Sequence, residues 1–225
     1  MAVPKLYVEG KDDCHVIVQL LRRHGVELVV QPDPSSKYPV ITHTTSKTDT
    51  PSIEEFLRGV PDRVRISERP VGFVVDADLV TGVAGRWEGL SRRLRESGVE
   101  CPAAAPAEGF VGYSETYKVK VGAWLMPDNQ RDGTLEHFLR DLIEKQDKLI
   151  THAEASVESA RLLDARFTAA AAPKALLHTW LAWQREPGCP YGQAIAACYF
   201  KSDSEAALAF VAWFKRLFEE SNEAA

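Results

Sequence analysis

Short apolar runs alternate along this chain with stretches in which apolar residues recur every three or four positions. That alternation predicts strands alternating with helices. Leu6-Tyr7-Val8, Val26 to Val30, Val71 to Val75 and Val119 to Met126 are runs rich in β-branched and aromatic residues. They are too short for helices and fit strands covered on both faces, as in a parallel sheet. Val16, Ile17, Leu20 and Leu21 fall at helical spacing after the first run, and Trp87, Leu90 and Leu94 mark the inward face of a helix over Arg86 to Ser97. Ser52-Ile53-Glu54-Glu55 has the form of a capping box and opens a short helix through Arg58. Thr134 is a fitting N-cap for a helix that begins at Leu135. Ser35 to Thr50, rich in Ser, Thr and Pro, reads as a loop, Gly82 to Gly85 as a turn, and Cys101 to Pro106 as a connection.

From Ile150 onward no further strand is predicted. Ala153 to Leu163, Lys174 to Gln184 and Ala206 to Phe218 have helical patterns, and Trp180, Trp183 and Trp213 are expected in their core. The expected architecture is therefore α/β, a mainly parallel, Rossmann-like sheet flanked by helices, with a C-terminal helical appendage. The division falls between residues 1–149 and 150–225.

Composition narrows this picture only a little. The chain has 225 residues, 45% of them hydrophobic, so it can bury a core. No run approaches the ~20 apolar residues of a membrane helix, and Met1-Ala2-Val3-Pro4-Lys5 lacks the apolar centre of a signal peptide. Both point to a cytoplasmic protein that does not engage a membrane. Cys14, Cys101, Cys189 and Cys198 show no C-x-x-C pairing. A net charge of -5 argues against coating nucleic acid by charge alone. Basic groups such as Arg22-Arg23-His24 and Arg92-Arg93 read as solvated helix faces.

The chemistry concentrates where strands end. Val71 to Val75 runs into Asp76-Ala77-Asp78, and Leu6-Tyr7-Val8 runs into Glu9-Gly10-Lys11-Asp12-Asp13. Ligands of open α/β sheets bind beyond the carboxyl ends of the strands. Carboxylates this close repel one another unless a cation lies between them, and hard oxygen ligands suit Mg2+ or Mn2+. Acids in a first helical turn also complement the helix dipole, which is the simpler account of Asp12 or Asp13 and of Glu136. Pro127-Asp128-Asn129 is a third acidic strand tip, with ordinary turn chemistry as its plain reading.

E-G-x-x-D followed by D-x-D, each after a strand, resembles the Toprim domain of topoisomerases, bacterial primases and the overcoming-lysogenisation-defect nucleases. Over roughly the first two thirds, and with Leu135-Glu136 included, the chain is most similar to small stand-alone Toprim proteins of unsettled function. The resemblance implies metal-dependent phosphodiester chemistry on DNA or RNA. Two cations would be held by Glu9, Asp13, Asp76, Asp78 and Glu136, with Glu9, Asp76 and Asp78 as the catalytic acids. Lys11, Lys47 and Lys174 are the candidates for contact with nucleic acid, and Lys174 or Lys201 for the lysine with which Toprim nucleases stabilise transition-state charge. Strand passage needs a separate domain with a nucleophilic tyrosine, and primase action needs partner domains, so hydrolysis is expected. The alternative is a binding module that holds Mg2+ and a nucleotide or nucleic-acid end without turnover, beside a partner such as an ATPase or as a homo-oligomer. A haloacid-dehalogenase-like phosphatase also carries D-x-D, but at its first strand.

Overall fold

The computed structural model describes residues 3–26, 28, 38–43 and 52–219. Five strands form one sheet: β1 (Lys5–Val8), β2 (Val40–His43), β3 (Val71–Asp76), β4 (Phe110–Ser114) and β5 (Val119–Met126), in the order β2-β1-β3-β5-β4. The first four in that order run parallel, and β4 closes the edge antiparallel to β5. The helices are α1 (Lys11–Arg23), α2 (Ile53–Arg58), α3 (Val60–Arg65), α4 (Gly82–Arg95), α5 (Leu135–Asp141), α6 (Lys148–Leu162), α7 (Ala172–Leu181), α8 (Tyr191–Ala196) and α9 (Glu205–Phe218). The fold is α/β and Rossmann-like, as the pattern predicted. Among the described residues no helix is long and apolar enough to cross a membrane.

The continuous apolar runs have a direct cause. Alternate residues of a strand project to opposite faces, and here both faces are covered. Val71, Phe73 and Val75 of β3, with Val121, Ala123 and Leu125 of β5, pack under Phe56, Val60, Val64, Trp87, Leu90 and Leu94 from α2, α3 and α4. Leu6, Val8, Val74, Trp124 and Met126 pack on the other face against α1 and α5 to α9. The helices after residue 147 thus share a core with the sheet. Gly72 of β3 lies opposite Gly122 of β5. A Cβ there would come within 2.8 and 2.5 Å of Leu217 respectively, so the glycine pair is what lets α9 lie directly on the strands.

Several expectations are corrected. The second strand is Val40–His43, inside the stretch expected to be a loop; it is a four-residue edge strand, half-buried throughout, and so lacks an apolar run. Val26 belongs to the end of α1: Gly25 takes a φ of 71°, and the Gly25 and Val26 N–H groups bond to the carbonyls of Arg22 and Leu21, both at 3.1 Å. Leu28 is likewise outside any strand, and residues 27, 29 and 30 lie outside the described set. Helix α4 begins at Gly82, four residues early, because Asp132 caps it from a distant loop through its Oδ1, 2.8 Å from the Val83 N–H. Trp183 is 38% exposed and stacks on His152, while Trp180 and Trp213 are core. Strand β4 and helix α8 have no counterpart among the expected elements.

Candidate active site

Strands β1 and β3 are parallel neighbours with Val8 opposite Val74, which sets their acidic tips side by side. Glu9 reaches across: its Oε1 accepts the Asp76 N–H at 2.7 Å, where the strand pairing stops. Asp76 in turn accepts the Leu135 N–H at 3.0 Å through Oδ1, which pins the first turn of α5, and with it Glu136, over the end of β3. Asp13 folds back so that its Oδ2 accepts the Gly10 N–H at 3.2 Å. A Cβ on Gly10 would lie 2.9 Å from that oxygen, so the glycine of E-G-x-x-D makes room for the acid three residues on.

Glu9, Asp13, Asp76 and Glu136 therefore come from three separate segments to the ends of β1 and β3, and the charges of Glu9 and Glu136 bear on both Asp13 and Asp76. Burial raises the Glu9 carboxyl, although the Asp76 N–H and Arg86 oppose the rise. Burial, with the Glu9 charge next, pushes Asp13 up to about 7. Burial and then the charges of Asp13, Glu9 and Glu136 drive Asp76 well above the usual carboxylate range.

Asp78 departs from its partner in the D-x-D. It takes a φ of 52°, its N–H bonds to the Gly133 carbonyl at 2.7 Å, and its Oδ2 is held by the Arg86 guanidinium. Burial alone would raise Asp78, but the N–H groups of Thr81 and Val80, at 2.7 and 2.6 Å, together with Arg86 keep it below the ordinary value. Arg86 also donates from Nε to the Asp76 carbonyl at 2.7 Å. This buried arginine went unnoticed in the sequence, although it lies four residues before Leu90 on the inward face of α4, where an unpaired charge is not tolerated.

The remaining candidates divide. Lys174 reaches the site, with its Nζ 3.3 Å from Glu136 Oε1, and the Thr134 hydroxyl donates to Glu136 Oε2 at 2.8 Å. Lys11 is exposed at the start of α1. Lys47 lies outside the described residues. Lys201 is paired with Glu144 instead. Asp128 accepts from the N–H groups of Gln130 and Arg131, the plain turn chemistry expected of it. His137 Nδ1 accepts the Thr134 N–H at 3.1 Å, a structural role at the start of α5.

Glu9, Asp13, Asp76 and Glu136 carry the oxygen donors that a hard divalent cation takes. Among the described residues no three such side chains stand together as a ready-made cage. Glu9, Asp13 and Asp76 are each tied to a backbone N–H instead.

A family model described as a protein of unknown function, DUF3226, matches residues 3–219, and the chain belongs to that family. No curated protein and no solved structure matches it.

Proposed function

We propose that this DUF3226 protein carries out metal-dependent phosphodiester chemistry on nucleic acid, as a nuclease of the Toprim kind working with Mg2+ or Mn2+. The observation that carries the reading is the gathering of Glu9, Asp13, Asp76 and Glu136 at the carboxyl end of two neighbouring parallel strands, with the protons of three of them shifted upward. Acids with perturbed pKa values gathered at a strand end are candidates for a working site. These four residues would hold the cation, which supplies charge to a phosphoryl oxygen and lowers the pKa of bound water.

The chain's own groups have separable parts in this scheme. Glu9, raised by burial and reaching across to the tip of β3, is the candidate general acid or base. Arg86 takes up the Asp78 charge and fixes the backbone of the D-x-D turn. Lys174 offsets Glu136 and supplies positive charge beside the acids, where a phosphate would arrive. One observation favours a second reading. With Asp78 paired to Arg86, only Asp76 of the D-x-D is without a cationic partner among the described residues. That suits a module which binds one cation and a nucleic-acid end without cutting, in the company of a partner such as an ATPase.

Cleavage of labelled single- and double-stranded DNA and RNA with Mg2+ or Mn2+ decides between the two. Under the nuclease reading Glu9→Gln and Asp76→Asn each lower cleavage by at least ~10²-fold, the scale of losing one electrostatic stabiliser. Binding of the same substrates changes by less than about tenfold. A wild-type chain that binds nucleic acid and never cuts it rejects the nuclease and leaves the binding module.

A further inference from the structure

A cavity of about 320 Å³ lies between α5, α6 and α7, and Glu136 is part of its lining. The residue before it, Leu135, donates its N–H to Asp76 at 3.0 Å. The cavity therefore adjoins the end of β3, with the first turn of α5 as the shared wall. Lys174 pairs with Glu136 at 3.3 Å, and its side chain is 52% exposed, so solvent reaches the place where cavity and acids meet.

The walls are mostly apolar, with Val157 from α6 and Ala172, Pro173 and Leu176 from α7. Their charges cancel. Arg140 pairs with Glu154 at 2.8 Å and Arg161 with Glu158 at 3.6 Å, as Glu136 does with Lys174. Such walls suit an uncharged ligand group with a few polar atoms. One polar group of the lining is left over. His137 Nδ1 accepts the Thr134 N–H at 3.1 Å, and burial lowers the imidazole, so the ring is neutral and its proton sits on Nε2. That N–H has no hydrogen-bonding partner among the described residues. The volume is at the small end of ligand sites, which run from ~300 to ~1,000 Å³. It admits one nucleoside and excludes a base pair.

We propose that this cavity receives a single unpaired nucleoside of the substrate, its base against α6 and α7 and its phosphate beyond Glu136 and Lys174, at the acids. The assignment rests on the nuclease reading and adds a substrate class to it. A single strand or a frayed end is preferred, because a base held in a duplex cannot enter.

The test uses the full chain. Adenosine 5′-monophosphate and the base-free ribose 5-phosphate are titrated calorimetrically with Mn2+ into wild type, and into Val157→Phe and Ala172→Phe, which fill the cavity from two different helices. Thermal unfolding checks the fold of each variant. Wild type should bind the nucleotide at least tenfold more tightly than the sugar phosphate, or ~1.4 kcal/mol. Filling the cavity should remove that preference and leave the sugar phosphate bound as before. Equal binding of the two ligands by wild type, or binding of neither, overturns the assignment without any variant. So does a folded variant that keeps the full preference. Mn2+ titrated alone separates the two claims. If wild type takes up Mn2+ and Asp76→Asn does not, the metal site stands whatever the cavity does. If wild type takes up none, both readings fall.

Discussion

Asp13 offers the most direct measurement of what the acid cluster costs the fold. It is 9% exposed, and burial with the Glu9 charge raises its carboxyl to about 7. In the unfolded chain the same group titrates near ~3.9. Between those values the native state holds a proton that the unfolded state has lost. The stability this provides is complete below about pH 4 and disappears as the pH climbs through 7. A rise of about three pH units at ~1.36 kcal/mol each is about 4 kcal/mol, shared with Glu9 and Asp76, which titrate together with it.

Asp13→Asn removes the ionisation and keeps an oxygen for the Gly10 N–H. Metal-free, the variant should be more stable than wild type at about pH 8 by up to ~4 kcal/mol. In a chain of this length that is about 8 °C, at ~2 °C per kcal/mol. At about pH 4 the two should melt together. The difference between the two melting profiles cancels the groups that do not interact with Asp13 and leaves Asp13 with its coupling to Glu9 and Asp76. Millimolar Mn2+ should close the gap at high pH by stabilising wild type alone, since a ligand bound only by the native state raises its stability. Parallel profiles, or a variant less stable than wild type at high pH, would refute the strain assigned to the cluster.

Two further substitutions test the frame around the site. Asp78→Ala leaves the Arg86 guanidinium without its carboxylate, and Arg86 is 6% exposed. Breaking a buried pair costs ~3–5 kcal/mol, and the partial exposure of Asp78 brings the expected loss to about 1–3 kcal/mol in urea unfolding. Because Asp78 is held below its ordinary value, that loss should be full near neutral pH and vanish as the pH falls through the carboxylate range; an unchanged midpoint at neutral pH would dismiss the pair as structural support. Gly122→Ala places a methyl 2.5 Å from Leu217 and should push α9 off the sheet, at about 1–3 kcal/mol for an overpacked core. Thermal unfolding with no change in Tm would mean that α9 yields without cost.

How far the sequence carried depends on which forces are local. Strands β1, β3 and β5 could be read as apolar runs because helices cover both their faces. Strand β2 could not, since an edge strand half-buried along its length has no such run; nor could β4, where Gly112 and the exposed Tyr113 interrupt the pattern. The start of α4 was hidden because its cap, Asp132, comes from a loop about fifty residues away. Glu9 and Asp76 could be found as strand tips, and parallel pairing joins them although they lie 67 positions apart.

The two acids of the D-x-D part for a physical reason. In an extended strand its two acids would project to the same side, but β3 ends at Asp76, and the backbone turns at Asp78 toward Arg86. Glu136 is drawn toward Asp13 and Asp76 when the Leu135 N–H bonds to Asp76, while the Asp78 charge still bears on Glu9. The last step was invisible from segments taken one at a time. The amphipathic pattern of the final helices announces that they pack on something, and the paired Gly72 and Gly122 show where α9 lands. Only the assembled fold places Lys174 on Glu136 and Tyr191 against α1. The helical third of the chain therefore shares one core with the sheet and reaches the acids through Lys174, and a substitution there should be judged by its distance from the acids, not by its position after residue 147.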